Sequence, residues 1–268
     1  MGWCFRQGKR LTYLTLPEWE ECGIQVGFST RWGGIGRTPY ESLNLGLHVG
    51  DDQDRVLRNR ELWLQEWDAE WNDFVIGEQV HDVKVQRVEP ADAGRGGRDI
   101  KTVLPGVDGL VTTSSLGLMA FFADCVPVFF YHPTLKAVSI AHAGWRGTVG
   151  KIAHRVLLEF QNMRGNISDC WVALGPSIGA CCYEVDERVI NLFQEAFKET
   201  PFIKPSRPGH AQLDLWEANR QLLLEAGAVP EHIWSASICT SCHTDSFFSH
   251  RREGPKTGRM AGWIRRKD

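Results

Sequence analysis

The residues best placed to do chemistry together lie in Ala123–Thr148, ADCVPVFFYHPTLKAVSIAHAGWRGT. Two apolar runs flank His132-Pro133-Thr134-Leu135, a connection whose length suits a hairpin. If Tyr131 pairs with Lys136, Cys125 falls directly opposite His142 at the open end of the hairpin, and both project to one face. A one-residue bulge would turn one of them away. A thiol beside an imidazole supports two readings. As a dyad, the imidazole lowers the thiol pKa and makes a nucleophile. As a metal pair, it needs at least one more ligand, which His81 in Glu78-Gln79-Val80-His81-Asp82 can supply. Three protein ligands leave a coordination position free, which is the arrangement of a catalytic rather than a structural zinc. The plain alternative is a buried Cys next to a hydrogen-bonded core His.

Other motifs compete. Gly175-Pro176-Ser177-Ile178-Gly179 satisfies the G-x-S-x-G of a nucleophile elbow, and Asp214 or Asp245 with His243 or His250 gives the chain order of an α/β-hydrolase triad. The elbow requires a helix directly after the serine, however, and Cys181-Cys182-Tyr183 intervene before the next helical pattern near Asp186. Cys239-Thr240-Ser241-Cys242-His243 matches the C-x-x-C-H of haem attachment, which is not expected without an export signal. A structural zinc there would need two further ligands, for which Cys181 and Cys182 are candidates; isolated thiols are the simpler expectation. GWRGTVGKI lacks the Walker spacing, and the H-x-E…P-C-x-x-C signature of zinc deaminases is missing.

The elements that must position these residues can be read from periodicity. Helical patterns run over 52–67, 148–163, 189–197 with Asp186 as cap, and 215–226 with Asp214 as cap before Gly227. Between them lie short β-rich runs at 24–28, 74–76, 83–88, 118–122, 126–131, 137–141, 171–174 and 233–238. The region 200–212 carries three prolines and reads as a surface loop. The order lacks a strict βαβ alternation, so the expected fold is mixed α/β (α+β): one domain over 1–268 with mixed β-sheets flanked by helices.

Composition narrows the class. With 43% hydrophobic, 24% charged and 10% aromatic residues the chain is globular rather than disordered or fibrous. Its 30 Lys+Arg against 33 Asp+Glu leave a net charge of −3, so no global basic field asks for nucleic acid. The longest apolar run, 117–131, is interrupted by Asp124 and Pro127 and too short to span a bilayer. MGWCFRQGKR has no apolar signal core, so a cytoplasmic location is expected, where the eight cysteines are thiols or metal ligands rather than disulfides. The 11 tryptophans indicate a large aromatic core. Oligomeric state is not legible.

Several blocks go further. ADC-x-P (123–127), AHAGWRGT (141–148), ALGPSIGACCYEV (173–185), FFSHRREG…TGRMAGWI (247–264), STRWGG (29–34) and SLNLGLHVGDD…NR (42–60) resemble, in order and over nearly the whole chain, the family known as multicopper polyphenol oxidase or laccase-domain proteins. That family is also read as zinc-dependent purine nucleoside phosphorylases of the YfiH type. The resemblance implies zinc ligands at His81, Cys125 and His142, and phosphate-dependent cleavage of adenosine, inosine, guanosine and methylthioadenosine, with adenosine deamination alongside. Such a reaction builds positive charge on ribose while an oxyanion approaches, so arginines should clamp phosphate. Arg31, Arg60, Arg146, Arg251, Arg252 and Arg259 lie in the family-like blocks, with Asn44 and His48 as polar partners for ribose or phosphate. The family's older label implies copper-dependent phenol oxidation, and copper can displace zinc from Cys and His in vitro. Nine scattered histidines with no H-x-H pair argue against a multicopper cluster.

Overall fold

The computed structural model describes residues 2–267 and contains two six-stranded mixed sheets and a small three-stranded one. The first sheet runs Cys4–Gln7, Thr12–Thr15, Ile24–Ser29, Met260–Arg266, Gly117–Phe122, Phe74–Ile76, antiparallel except for the last pair. The second runs Ile233–Ser235, Trp171–Leu174, Val126–His132, Ala137–Ala143, Gly109–Thr112, Val85–Arg87, with parallel pairs at both edges.

Strand periodicity explains the layering. In Gly117–Phe122, Leu118, Ala120 and Phe122 point to a core between the two sheets, while Met119 and Phe121 point the other way. In Val126–His132, Phe129 and Tyr131 join that shared core, while Val126, Val128 and Phe130 face outward helices. Gly262 lets the sheets approach closely: a Cβ there would sit 2.9 Å from Ile140 and 3.0 Å from Phe129 of the second sheet, and 3.0 Å from Phe122 of its own. The helix Gln53–Glu66 covers the outer face of the first sheet through Trp63 and Leu64, beside Tyr13, Trp67 and Trp263. Helices Ile152–Asn162 and Leu215–Glu225 cover the outer face of the second. The mixed α/β architecture with helices flanking the sheets is the expected one.

Caps set the helix starts. Asp52, Asp186 and Asp214 each accept a hydrogen bond from the backbone N–H three residues on, at 3.0–3.1 Å. The pattern over 148–163 resolves into two helices, Trp145–Val149 and Ile152–Asn162, because Lys151 takes the left-handed conformation (φ 63) between them. The region 200–212, expected as a loop, holds the strands Ile203–Pro205 and His210–Leu213, which pair with each other, the second pairing also with Glu184–Asp186. Pro205 is tolerated because its strand lies at the edge. Among the described residues no helix is long and apolar enough to cross a membrane.

Candidate metal centre and its cavity

The hairpin forms, but in a register shifted from the expected one. His132 pairs with Ala137, and His142 lies opposite Pro127 rather than Cys125. Pro133–Lys136 make the connection, with Lys136 left-handed (φ 50). The shift is by two residues, so side-chain parity is preserved and Cys125 remains on the face of His142, as a diagonal neighbour. Cys125 occupies the crossing from the first sheet to the second, just before Val126. His142 projects toward the inter-sheet core, its ring 5.7 Å from that of Phe122. His81 follows the edge strand Phe74–Ile76, its ring 4.8 Å from His142 and nearly perpendicular to it. One donor atom from each of His81, Cys125 and His142 lies within 4.8 Å of the others.

Asp108 organises the cluster. Its carboxylate accepts from the Nδ1 of His142 at 2.8 Å and from three consecutive backbone N–H groups, Val80, His81 and Asp82, at 3.0 Å each. The first bond fixes the ring so that Nε2 faces the cluster; the other three hold His81 in its left-handed conformation (φ 62). Burial pushes the Asp108 pKa up, but the His142 bond and the backbone donors outweigh it and hold the carboxyl below its usual range. Burial also disfavours the thiolate of Cys125, yet the His142 and His81 rings bring that thiol down to about 6. His142, disfavoured as a cation by burial, is raised to about 9 by Cys125 and Asp108. Among themselves the groups favour a Cys125 thiolate beside a protonated His142, and a metal ion binding there would displace that proton.

Gly144 makes room for the thiolate. Its backbone (φ −70, ψ 179) suits any residue, but a Cβ would lie 2.7 Å from Cys125 Sγ and 3.6 Å from His81 Cδ2. Gly144→Ala is expected to fold normally and to bind an added divalent cation at these three donors at least about tenfold more weakly; competition with a chromophoric chelator measures this, and wild-type affinity would refute the packing argument.

The cluster opens into a cavity of about 630 Å³, within the range of roughly 300–1,000 Å³ usual for small-molecule sites. Its apolar wall includes Leu47, Ile76, Ile100, Val103, Phe121 and Ile178; its polar wall includes His48, Arg60, Tyr183, Arg251 and Arg259. The Arg60 guanidinium is fully buried, donates to the carbonyls of Leu45, Gly96 and Gly97 at 2.6–2.8 Å, and stacks on Phe121. Burial brings its pKa down to about 9. Arg259 spends one nitrogen on the carbonyls of Thr257 and Gly258. Burial, then the charges of Arg259 and Arg60, bring His48 down to about 4, which keeps it neutral at pH 7.

Four expected substrate residues are placed elsewhere. Arg31 is a strut: its guanidinium binds the carbonyls of Glu41 and Thr244 and the Glu253 carboxylate, all at 2.7–2.8 Å, and lies over Phe248. Asn44 is buried and shapes its own loop, with Oδ1 accepting from Gly46 and Arg259 backbone N–H and Nδ2 donating to Asp51. Arg146 stacks on Trp145 and does not line the cavity. Arg252 does not line it either. Ser177, the centre of G-x-S-x-G, is buried, and its hydroxyl bonds only weakly to the Ile178 carbonyl at 3.5 Å. Periodicity and motif matching missed Asp108, Gln79, which clamps both backbone groups of Phe121 at 2.7 Å, and Asp124, which binds Thr240 Oγ1 and the Arg251 backbone N–H.

Comparison with known proteins places this arrangement. Residues 25–267 match the family model described as multi-copper polyphenol oxidoreductase laccase. Purine nucleoside phosphorylase YlmD from Geobacillus stearothermophilus is 45% identical over 262 residues, covering 93% of this chain and 95% of that protein. A protein named adenosine deaminase RL5, from an unknown prokaryotic organism, is 34% identical over 91% of this chain and 95% of its own. The crystal structure of the Geobacillus YlmD superposes with a TM-score of 0.94 at 42% identity, covering 98% of this chain and 99% of that one. That of Bacillus licheniformis YfiH also gives 0.94, at 38% identity and the same coverage. The chain therefore belongs to the laccase-like family that contains the YlmD and YfiH proteins.

Proposed function

We propose that this protein is a zinc-dependent purine nucleoside phosphorylase. It would cleave adenosine, inosine, guanosine and S-methyl-5′-thioadenosine with phosphate to free base and (methylthio)ribose 1-phosphate, with adenosine deamination as an accompanying activity. The observation that carries this reading is the open three-donor centre facing a nucleoside-sized cavity with the buried Arg60 and the more accessible Arg251 and Arg259 in its wall. The names of the relatives agree with it.

The donor set fits a zinc ion: one thiolate and two imidazoles, with the second nitrogen of His142 held by a carboxylate. His81, Cys125 and His142 would hold the ion. When bound, zinc supplies Lewis-acid polarisation. The chain's own groups do the rest. Arg259 and Arg251 bind hydrogen phosphate and orient it toward the anomeric carbon, where its oxygen bonds as the glycosidic bond breaks, the base leaving with the electron pair and taking up the proton that the phosphate gives up. His48, neutral, offers one donor and one acceptor to ribose or phosphate. Tyr183, whose pKa is raised by burial and then by the nearby Cys125 charge, keeps its proton and can donate to the base or ribose. The apolar wall around Phe121 and Ile178 excludes water from the purine. Arg60, held by three carbonyls, contributes positive potential rather than a free hydrogen-bonding fork.

The copper-oxidase reading is weaker. Among the described residues two groups could hold a metal, one with two histidines and one with none, whereas a blue-copper plus trinuclear assembly needs many imidazoles.

Stripping the metal with a chelator should stop release of free base from inosine, and added Zn²⁺ should restore it. Undiminished base release by metal-free protein would overturn the proposal. Arg259→Ala should raise KM for phosphate about 10–100-fold, from loss of a charge-assisted hydrogen bond, with a much smaller change in KM for the nucleoside. An unchanged phosphate KM would remove Arg259 from that role.

A further inference from the structure

Four of the eight cysteines converge on a second place. The strands Trp171–Leu174 and Ile233–Ser235 are parallel neighbours, so the chain leaves both at the same end of the sheet. Beyond them the two segments stay paired. Ala236 N–H donates to the Leu174 carbonyl at 2.8 Å, Ser177 N–H to Ile238 at 3.3 Å, and Thr240 N–H to Ser177 at 2.9 Å. The first segment then delivers Cys181 and Cys182, and the second delivers Cys239 and Cys242. From the sequence these cysteines are expected as isolated thiols; the topology brings them together instead.

The sulfur geometry is specific. All four Sγ atoms lie within 4.8 Å of one another, with Cys181–Cys242 at 3.5 Å and Cys182–Cys242 at 3.4 Å. A disulfide would need about 2.05 Å. Four sulfurs around one tetrahedral zinc, each about 2.3 Å from it, stand about 3.8 Å apart. The cluster is also too tight to enclose several irons. Cys239 is buried and accepts from the Gly179 backbone N–H at 3.2 Å, as a metal-bound thiolate does; the turn to Cys242 closes with Cys242 N–H on the Cys239 carbonyl.

We propose that Cys181, Cys182, Cys239 and Cys242 hold a second zinc ion, closed and structural, distinct from the open centre at His81, Cys125 and His142. Its role follows from what the two segments carry. Ile178 and Tyr183 on the first line the cavity. Thr240 on the second donates to Asp124, next to Cys125, at 2.7 Å. Arg251 ties them by donating to the carbonyls of Cys182 and Glu184 at 3.2 and 3.0 Å, while its N–H binds Asp124. The ion would pin one wall of the cavity to the loop that holds the other metal.

Metal analysis of the full chain, purified under reducing conditions, tests this without reference to nucleoside turnover. The expected content is two zinc per chain, falling to one in Cys239→Ser/Cys242→Ser and to one in Cys125→Ala. In case the double variant fails to fold, the wild-type protein stripped of metal and titrated with Co²⁺ provides a second readout: one equivalent should give the intense sulfur-to-cobalt charge-transfer band of a four-thiolate site. A single zinc that disappears in Cys125→Ala, bound iron, a Cys–Cys linkage found by mass spectrometry, or absence of that cobalt band would each overturn the proposal.

Discussion

Cys125→Ala is expected to yield a folded protein that has lost the ion of the open centre, with nucleoside turnover reduced more than about 100-fold. Losing a partner that merely orients a metal ligand already costs about 10–100-fold, and here a ligand itself is removed. The fold should tolerate the change because Cys125 is small, only half-buried, and lies outside the strands. The Asp108–His142 hydrogen bond does not depend on it. The same variant, combined with chelation of the wild type, separates the two chemical readings of the thiol. A Cys–His nucleophile loses activity on substitution but survives metal removal; a metal ligand loses activity both ways. Full activity of a metal-free Cys125→Ala protein would show that the cluster is not the reaction centre.

Asp108→Ala should be nearly as damaging, for a different reason. One carboxylate sets the His142 ring and receives three backbone N–H groups of the loop bearing His81, so two of the three candidate ligands depend on it. Removing it leaves the buried His142 ring nitrogen without its partner and frees three part-buried backbone N–H groups, a loss of about 1–3 kcal/mol of folding stability, and should lower zinc affinity about 10–100-fold. Urea unfolding and chelator competition read the two effects separately. Asp108→Asn, which keeps one acceptor oxygen, should fall between wild type and Asp108→Ala in both. Unaltered zinc affinity in Asp108→Ala would show that the ligands are fixed by packing instead.

The cluster was legible in the sequence because its chemistry is local: Cys125 and His142 are the two ends of one hairpin, and parity along strands survives a register shift of two. His81 was reachable as the next histidine after a recognisable strand. Asp108 was not, since its three backbone contacts come from a loop 26–28 residues away and an acid before an apolar strand looks like any turn residue. The central strand Met260–Arg266 was invisible as a strand because Gly262 and the arginines break its alternation, although it pairs on both sides within the first sheet. Prolines made 200–212 read as a loop, yet Pro205 is harmless on an edge. Arginine roles were the least legible. Arg31, Arg60 and Arg259 are equivalent in type, and only the carbonyls around each show that Arg31 is a strut, Arg60 a buried cation and Arg259 a residue of the cavity wall. The tryptophan clusters proved structural: no tryptophan lines the cavity, whose rings are Phe121, Tyr183 and histidines.

The most direct test is chromatographic analysis of adenosine and inosine incubated with zinc-loaded protein, in parallel with and without phosphate. The account requires free base and ribose 1-phosphate to appear only in the sample containing phosphate, with inosine formed from adenosine in both. No turnover of either nucleoside by protein shown to carry its zinc would contradict it.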